Sequence, residues 1–244
     1  MRINMQIKQT PSGAIAYCDA TLETISTQWF TYDYWLNLSA ITGSSKGRYT
    51  TWFVKPDISA TDESEWVLRH YYRGGLMEKL SKDSYLFTGL KNTRAVAELS
   101  LLELLYSEGF AVPKPIAANV ERNGLYYRAD IIIERVDGAQ DLVAQLSKSP
   151  MSDTQWQQLG ACIAKFHQRG VYHADLNAKN ILITPDKFYL IDFDRGEIRN
   201  PNPKWQGANL ERLLRSFRKE LAKLPSLAFT ESNWQSLMKG YSQA

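Results

Sequence analysis

Three oxygen-bearing side chains in the second half of this 244-residue chain are spaced for a particular chemistry. They lie in His173-Ala174-Asp175-Leu176-Asn177-Ala178-Lys179-Asn180 and, further on, in Ile191-Asp192-Phe193-Asp194. Transfer of a phosphoryl group to a hydroxyl asks little covalent work of a protein. It needs a carboxylate to accept the hydroxyl proton and oxygen ligands for Mg²⁺, all held in place. Asp175 and Asn180 stand five residues apart across a loop. Such a loop aims one carboxylate at an acceptor and one amide oxygen at a metal. Asp192, twelve residues after Asn180, ends an apolar strand that a hairpin returns beside the loop, which makes it the natural Mg²⁺ ligand. Asp175 is therefore the expected proton acceptor, and Asn180 and Asp192 are the expected metal ligands. A lone aspartate is usually a cap or a surface charge; three such groups in this order and spacing are read otherwise. His173 is expected to brace the loop rather than act as a base. Asp194 is either a second metal contact or a solvated turn residue.

The elements that must hold these residues follow from periodicity. Ser152 with Gln155 three residues on is a capping-box signature. Trp156, Leu159, Ile163 and Phe166 then form one helical stripe, which Gly170 stops. Ile181-Leu182-Ile183 and Phe188-Tyr189-Leu190-Ile191 read as short strands, with a hairpin signal at Pro185-Asp186. Asn209 is expected to cap a helix with apolar face Leu210, Leu213, Leu214, Phe217, Leu221 and Leu224. The first half has a different character. Leu36 to Ile41 alternates as a strand, Gly43 to Gly47 reads as a flexible turn, and Thr50 to Val54 and Glu65 to Tyr72 read as further strands. A helix is predicted over 93–107, with Leu99, Leu102, Leu105 and Tyr106 at helical spacing and Gly109 to end it. Val112-Pro113-Lys114-Pro115 breaks the chain, and Tyr126 to Val136 reads as one or two strands. Strands with one helix, followed by helices around a hairpin, make an α+β protein. The expected division is a small β-rich N-lobe over 1–136 and a helical C-lobe over 137–244.

The loop and the Asp192-Phe193 pair resemble the catalytic loop and metal-binding triplet of protein kinases. Ala174 stands where those enzymes commonly have Arg, Asn177 at the usual Lys position, and Asp194 in place of a Gly. The missing Arg speaks against control by phosphorylation of an activation loop. The resemblance implies a two-lobed protein-kinase-like fold, ATP as phosphoryl donor and Mg²⁺. Gly43 and Gly47 flank the first strand-to-strand turn, where backbone amides can cover phosphates. In the third strand Val67, Arg69 and Tyr71 share a face by alternation. Kinases carry there a Lys that holds the α- and β-phosphates and pairs with a helix Glu. This chain has Arg69 instead, a planar fork rather than an ammonium, with Glu98 the candidate partner. The expected nucleotide contacts are thus Gly43, Gly47, Val67, Arg69 and Glu98, with Arg73 and Lys79 as rivals to Arg69 for the phosphates.

Bulk composition narrows the rest. A net charge of +3 does not argue for a nucleic-acid partner. Cys18 and Cys162, with His70, His167 and His173, show no metal-ligand spacing, and reduced thiols are expected. The N-terminus has no secretory-type apolar stretch, and no run approaches the ~20 apolar residues that span a bilayer. A cytoplasmic protein, or one on the cytoplasmic side of a membrane surface, is expected. Only 52 residues follow Asp192, without an Ala-Pro-Glu-like anchor, which favours a small-molecule or lipid-linked sugar acceptor over a protein.

Four stretches carry a more specific resemblance. They are Gly47-Arg48-Tyr49-Thr50-Thr51-Trp52-Phe53, Trp66-Val67-Leu68-Arg69-His70-Tyr71-Tyr72-Arg73-Gly74-Gly75-Leu76, the loop 173–180, and Asn209-Leu210-Glu211-Arg212-Leu213-Leu214-Arg215-Ser216. Together they resemble the 3-deoxy-D-manno-octulosonic acid (Kdo) kinases, which belong with the lipopolysaccharide core heptose kinases of Gram-negative bacteria. The resemblance implies ATP-dependent phosphorylation of the 4-hydroxyl of Kdo on a lipid A precursor (Kdo-lipid IVA), at the cytoplasmic face of the inner membrane. Heptose kinases and soluble aminoglycoside- or choline-type phosphotransferases are the rival readings. Arg195, Arg199, Lys204 and Arg212 favour an anionic acceptor over a cationic drug. A pseudokinase would typically lack Asp175, Asn180 or Asp192. Arg212, Arg215, Arg218, Lys219 and Lys223, against Glu211 and Glu220, read either as a basic helix face for an anionic membrane or as a solvated face.

Overall fold

A computed structural model describes residues 5–46, 49–57, 64–73 and 83–244. The chain divides into two compact units, residues 1–108 with 113–137 and residues 109–112 with 138–244.

The first unit is an antiparallel sheet with one long helix. Its elements are β1 (Gln6–Thr10), β2 (Gly13–Tyr17), α1 (Tyr32–Asn37), β3 (Ile41–Lys46), β4 (Thr50–Val54), β5 (Trp66–His70), β6 (Tyr85–Leu86), α2 (Arg94–Ser107), β7 (Pro115–Asn123) and β8 (Tyr126–Glu134). The strands run in the order β1-β2-β7-β8-β5-β4-β3, and β6 adds to β8. The stretch from Leu36 that alternates like a strand is instead the end of α1 and a turn through Ser39, whose φ is 54°. Aromatic burial overrides the alternation. Trp35 packs edge-on against Trp29 and Trp66, and its Nε1–H donates to the Trp29 carbonyl at 2.6 Å. Gly43 lies in β3 opposite Phe53 rather than in a turn, next to a bulge between Ile41 and Gly43. The expected turn from Gly43 to Gly47 is thereby shortened, because Ser44, Ser45 and Lys46 pair with Trp52, Thr51 and Thr50. Gly47, Arg48 and Lys79 lie outside the described residues. β7 begins at Pro115, within the stretch read as a chain break. A proline at the first residue of a strand loses no ladder bond that the sheet needs.

The helix α2 matches its predicted span within a residue. It buries Leu99, Leu102 and Leu105, whereas Tyr106 is exposed, and Gly109 follows its end with a φ of 77°. Glu98 is buried with the apolar residues of this helix, at 2% exposure. A buried carboxylate demands partners, and they are described below.

The second unit comprises β9 (Gln140–Asp141), α3 (Leu142–Lys148), α4 (Asp153–Gln168), β10 (Val171–Tyr172), β11 (Ile181–Ile183), β12 (Phe188–Leu190), β13 (Glu197–Ile198), α5 (Pro203–Lys223) and α6 (Glu231–Gln243). The predicted capping box of Ser152 and Gln155 starts α4. β11 and β12 form the predicted hairpin, with β9 on its other side. The core is aromatic: Trp156 of α4 meets Phe217 of α5 and Phe229, and the two phenylalanines stack at 4.7 Å. The helix α6 lies so close to α4 that a Cβ on Gly160 would meet the Leu237 carbonyl oxygen at 2.0 Å. Asn209 is not a cap. The cap of α5 is Asn202, with Pro203 behind it, so Asn209 falls two turns inside the helix and is buried.

Candidate active site

The loop between β10 and β11 is held from within by its own polar residues. Asn177 is its hub. The side-chain oxygen of Asn177 accepts from the N–H groups of Lys179 and Asn180, at 2.9 and 3.2 Å, and so starts a short 3₁₀ turn over Ala178–Asn180. Its amide Nδ2 donates to the Asp175 main-chain oxygen at 3.0 Å and to Asp175 Oδ2 at 3.2 Å. Asn180 Nδ2 donates to the same Asp175 carbonyl at 3.0 Å, which leaves its Oδ1 as the acceptor end of the amide. The expected metal-binding amide is therefore tied to the main chain of the expected catalytic residue, and the carboxylate itself to Asn177.

His173 fastens this loop to the hairpin. Its Nε2–H donates to the Ile191 carbonyl at 3.0 Å, and its Nδ1 accepts the Asp175 N–H at 3.2 Å. Those two bonds require the neutral imidazole. Burial, the largest influence, lowers the pKa of His173 against the bond to Ile191 and the charges of Asp192 and Asp175. The ring also packs on Phe193 at 4.9 Å. The main-chain N–H of Ile191 donates to the Asn180 carbonyl at 3.0 Å, so the next residue, Asp192, emerges beside Asn180. Asp192 has a φ of 62°, in the left-handed region that few non-glycine residues adopt. Asp194 pairs with Arg195 at 3.7 Å.

The loop is also held from below, by one face of α5. Asn209 Oδ1 accepts the His173 N–H at 3.3 Å. Arg212 donates to Asp175 Oδ1 at 3.2 Å. Ser216 Oγ accepts the Ala178 N–H at 2.9 Å. Glu220 faces Lys179 at 3.6 Å. Residues 209, 212, 216 and 220 are spaced by three, four and four, the interval that keeps side chains on one helical face. They meet 173, 175, 178 and 179 in order along the loop. Sequence reading assigned Asn209 to a cap, and placed Arg212 among the cations favouring an anionic acceptor and on a basic or solvated helix face, not against the loop. The usable signal was this spacing of polar residues beside the apolar stripe.

The basic residues of α5 are less available than their number suggests. Arg218 donates to both oxygens of Glu231, at 2.9 and 3.1 Å, Arg215 lies 3.6 Å from Glu211, and Lys223 lies 2.7 Å from Glu220. Arg212 pairs with Asp175, and of the six basic residues of the helix Lys204 and Lys219 have no carboxylate partner among the described residues.

In the first unit, β5 brings Arg69 to α2. Arg69 donates to Glu98 Oε1 at 2.6 Å, as expected of the pair, and the Tyr71 hydroxyl donates to the other oxygen, Oε2, at 2.5 Å. Tyr71 is 3% exposed and was not singled out by sequence as a partner of Glu98. His70, on the opposite face of the strand, lies between Asp130 at 2.6 Å and Asp83 at 3.3 Å. Val67 sits in β5 opposite Phe53 on one side and Ile133 on the other. The Arg73 guanidinium lies 5.2 Å over the Tyr85 ring, and its Nε is buried without a hydrogen-bond partner among the described residues.

A carboxylate and an amide fixed on one loop, a second carboxylate delivered by a hairpin, and a strand cation paired to a helix glutamate are the parts of a protein-kinase-like fold. The fold is shared with two solved structures. A WaaP in complex with acyl carrier protein has a TM-score of 0.52 at 16% identity, over 86% of this chain and 82% of that one. The Rio2 kinase of Chaetomium thermophilum, as an ADP/Mg²⁺-phosphoaspartate complex, has a TM-score of 0.50 at 17% identity, over 98% and 81%. The family described as Lipopolysaccharide kinase (Kdo/WaaP) matches residues 32–241, and the chain belongs to that family. A 3-deoxy-D-manno-octulosonic acid kinase of Mannheimia succiniciproducens is 46% identical over 215 residues, covering 85% of this chain and 87% of the relative.

Proposed function

We infer that this chain is a 3-deoxy-D-manno-octulosonic acid kinase, transferring the γ-phosphoryl group of ATP to the 4-hydroxyl of Kdo on a lipid A precursor. The observation that carries the reading is the doubly held loop: the family's Asn-Leu-x-Arg-Leu stretch runs directly under the residues that would do the chemistry. The relative's own name and the shared family support the acceptor.

In this reading Asp175 orients the sugar hydroxyl and takes its proton as the phosphoryl group is transferred. It is half-exposed, as a group that must meet an incoming acceptor has to be. Asn180 and Asp192 would hold Mg²⁺. One amide oxygen and one carboxylate fit a hard cation that keeps several waters and shares the phosphates. When bound, the ion neutralises charge on the phosphates. Asp192 adopts its costly left-handed backbone to present that carboxylate. Arg69, oriented by Glu98, takes the α- and β-phosphates. Gly43, in the strand β3, would bring its backbone near them, and Val67 would lie against the base. No helix among the described residues is long and apolar enough to cross a membrane. Because the acceptor is a lipid, the enzyme works as a peripheral protein at the cytoplasmic face of the inner membrane.

The test is incubation of the purified protein with labelled ATP and Kdo-lipid IVA, beside heptose-bearing and protein acceptors. Label is expected on the Kdo acceptor alone. Asp175→Asn should lower turnover by ~10²–10⁴-fold and leave ATP binding nearly intact. Undiminished turnover in that variant would remove Asp175 from the mechanism, and label on heptose alone would reassign the acceptor.

A further inference from the structure

The carboxylate of Asp175 has two oxygens, and they are held from different directions. Oδ2 receives Asn177 from inside the loop, while Oδ1 receives Arg212 from α5. Asn180, the proposed metal ligand, attaches instead at the Asp175 backbone carbonyl. Arg212 thus stands at the tip of the proton-accepting side chain, away from the attachment point of the metal-binding end. It is half-exposed and has no other hydrogen-bond partner among the described residues. A guanidinium carries five N–H donors in a flat fork, so one bond to Asp175 leaves donors for a second planar anion.

The proposed acceptor is a sugar acid. Its carboxylate hangs from the ring carbon two places from the one bearing the hydroxyl to be phosphorylated. When that hydroxyl reaches hydrogen-bond distance of Asp175, the acceptor's negative charge is brought close to the negative charge of the base. Two carboxylates so placed repel unless a cation stands between them. Protein kinases carry a Lys beside the catalytic Asp, two residues on in the loop; here that position is Asn177, which is occupied in bracing the loop. The cation comes from α5.

We propose that Arg212 is the specificity-determining residue of this enzyme, binding the carboxylate of the Kdo acceptor while it touches Asp175. The proposal rests on the acceptor inferred above. It requires no new chemical step, and it explains why a helix signature outside the loop contains an arginine at this position.

The test is a cycle of two enzymes and two acceptors: wild type and Arg212→Gln, each with Kdo-lipid IVA and with the same lipid whose Kdo carboxylate is converted to the carboxamide. The wild type is expected to lose roughly 10- to 100-fold in kcat/KM on the carboxamide, the range for a hydrogen bond to a charged group. Arg212→Gln should lose a similar factor on the native acceptor and little more on the carboxamide, with the KM for ATP unchanged. Arg212→Lys, keeping charge without the fork, should fall between. Equal losses for Arg212→Gln on both acceptors, or a raised KM for ATP, would overturn the proposal and assign Arg212 to Asp175 or the transferred phosphoryl group. A wild type indifferent to the carboxamide would overturn it without reference to any variant. Absence of wild-type turnover on the native lipid would overturn the acceptor reading itself, and is distinguishable from both.

Discussion

The pair of Arg69 and Glu98 offers a test in which stability and catalysis must move together. Arg69→Met keeps an apolar stem of similar reach and removes the charge. The Glu98 side chain is 1% exposed, so it would remain a buried anion with the guanidinium gone and the Tyr71 hydroxyl still beside it. Stranding one partner of a buried ion pair costs about 3–5 kcal/mol. The Arg69 side chain is 22% exposed, so water screens part of the pair, and ~2–3 kcal/mol is the better expectation. At roughly 2–4 °C per kcal/mol for a chain of this size, the melting temperature should fall by about 5–10 °C. Glu98→Leu removes the anion beside Arg69, a side chain that reaches solvent and also meets the Tyr71 hydroxyl, and should cost only ~1–2 kcal/mol. The double variant removes both charges, so its cost should be less than the sum by about 1.5–2.5 kcal/mol. Denaturant unfolding of the four proteins measures the cycle. Steady-state kinetics on the same samples should show a raised KM for ATP and a lowered kcat in each single variant, and no further loss in the double. Additive stability losses would mean that the pair is not electrostatically coupled. An unmoved KM for ATP would take the phosphate contact away from Arg69 and direct the search to Arg73 and Lys79.

Two further predictions concern the folded state. Burial acts first to lower the pKa of His70, but the hydrogen bonds and charges of Asp130 and Asp83 outweigh it and the net shift is upward. Native His70 therefore holds its proton to higher pH than the unfolded chain does. Its contribution to stability is complete below the unfolded pKa of about 6.5 and is lost as pH rises through the folded value. The buried neutral histidines His167 and His173 act alike in both proteins, so on raising the pH from about 6 the urea midpoint of the wild type should lose ground relative to that of His70→Asn; an unchanged difference would show that the imidazole is not the titrating group. Gly240→Ala places a Cβ 2.0 Å from the Gln157 carbonyl oxygen, so α4 and α6 must separate. Although Ala favours a helix by about 1 kcal/mol, the overpacking should win and destabilise by ~1–3 kcal/mol; a raised melting temperature would refute the close approach.

The parts of the fold legible in the sequence were those whose signal is local. The capping box of α4, the β11–β12 hairpin and the span of α2 follow from residues that act on neighbours a few positions away. So does the group of Asp175, Asn180 and Asp192, because one loop and one hairpin suffice to assemble it. What was not legible depended on partners far along the chain. Leu36 to Ala40 alternates like a strand, but Trp35 is drawn into a cluster with Trp29 and Trp66, and the backbone follows the tryptophan. Asn209 has the chemistry of a cap, yet Asn202 with Pro203 supplies a better start seven residues earlier. Tyr71 was placed on the face of Arg69, but nothing local says that its hydroxyl ends on Glu98. The two strands β1 and β2 carry no turn motif strong enough to announce them beyond Ser12-Gly13, and β7 is masked by its prolines.

The helix α5 shows how one element serves three purposes by rotation alone. At about 100° per residue, Asn209, Arg212, Ser216 and Glu220 fall within an arc of roughly 80°. Leu210, Leu213 and Phe217 occupy the adjoining arc and pack into the core. Glu211, Arg215 and Arg218 lie on the far side. Because the loop-facing and core-facing arcs adjoin, the aromatic packing of Phe217 on Trp156 and Phe229 sets the height at which Arg212 meets Asp175. The charges seen by solvent are then those of the third arc, where Arg218 is tied to Glu231 and Arg215 to Glu211. A basic residue near an anionic bilayer surface is worth roughly 1 kcal/mol when its charge is not already compensated. Four of the six basic residues of this helix are compensated within the protein, and Lys204 and Lys219 have no carboxylate partner among the described residues. Any pull of α5 toward an anionic surface is therefore nearer that of two lysines than of six cations.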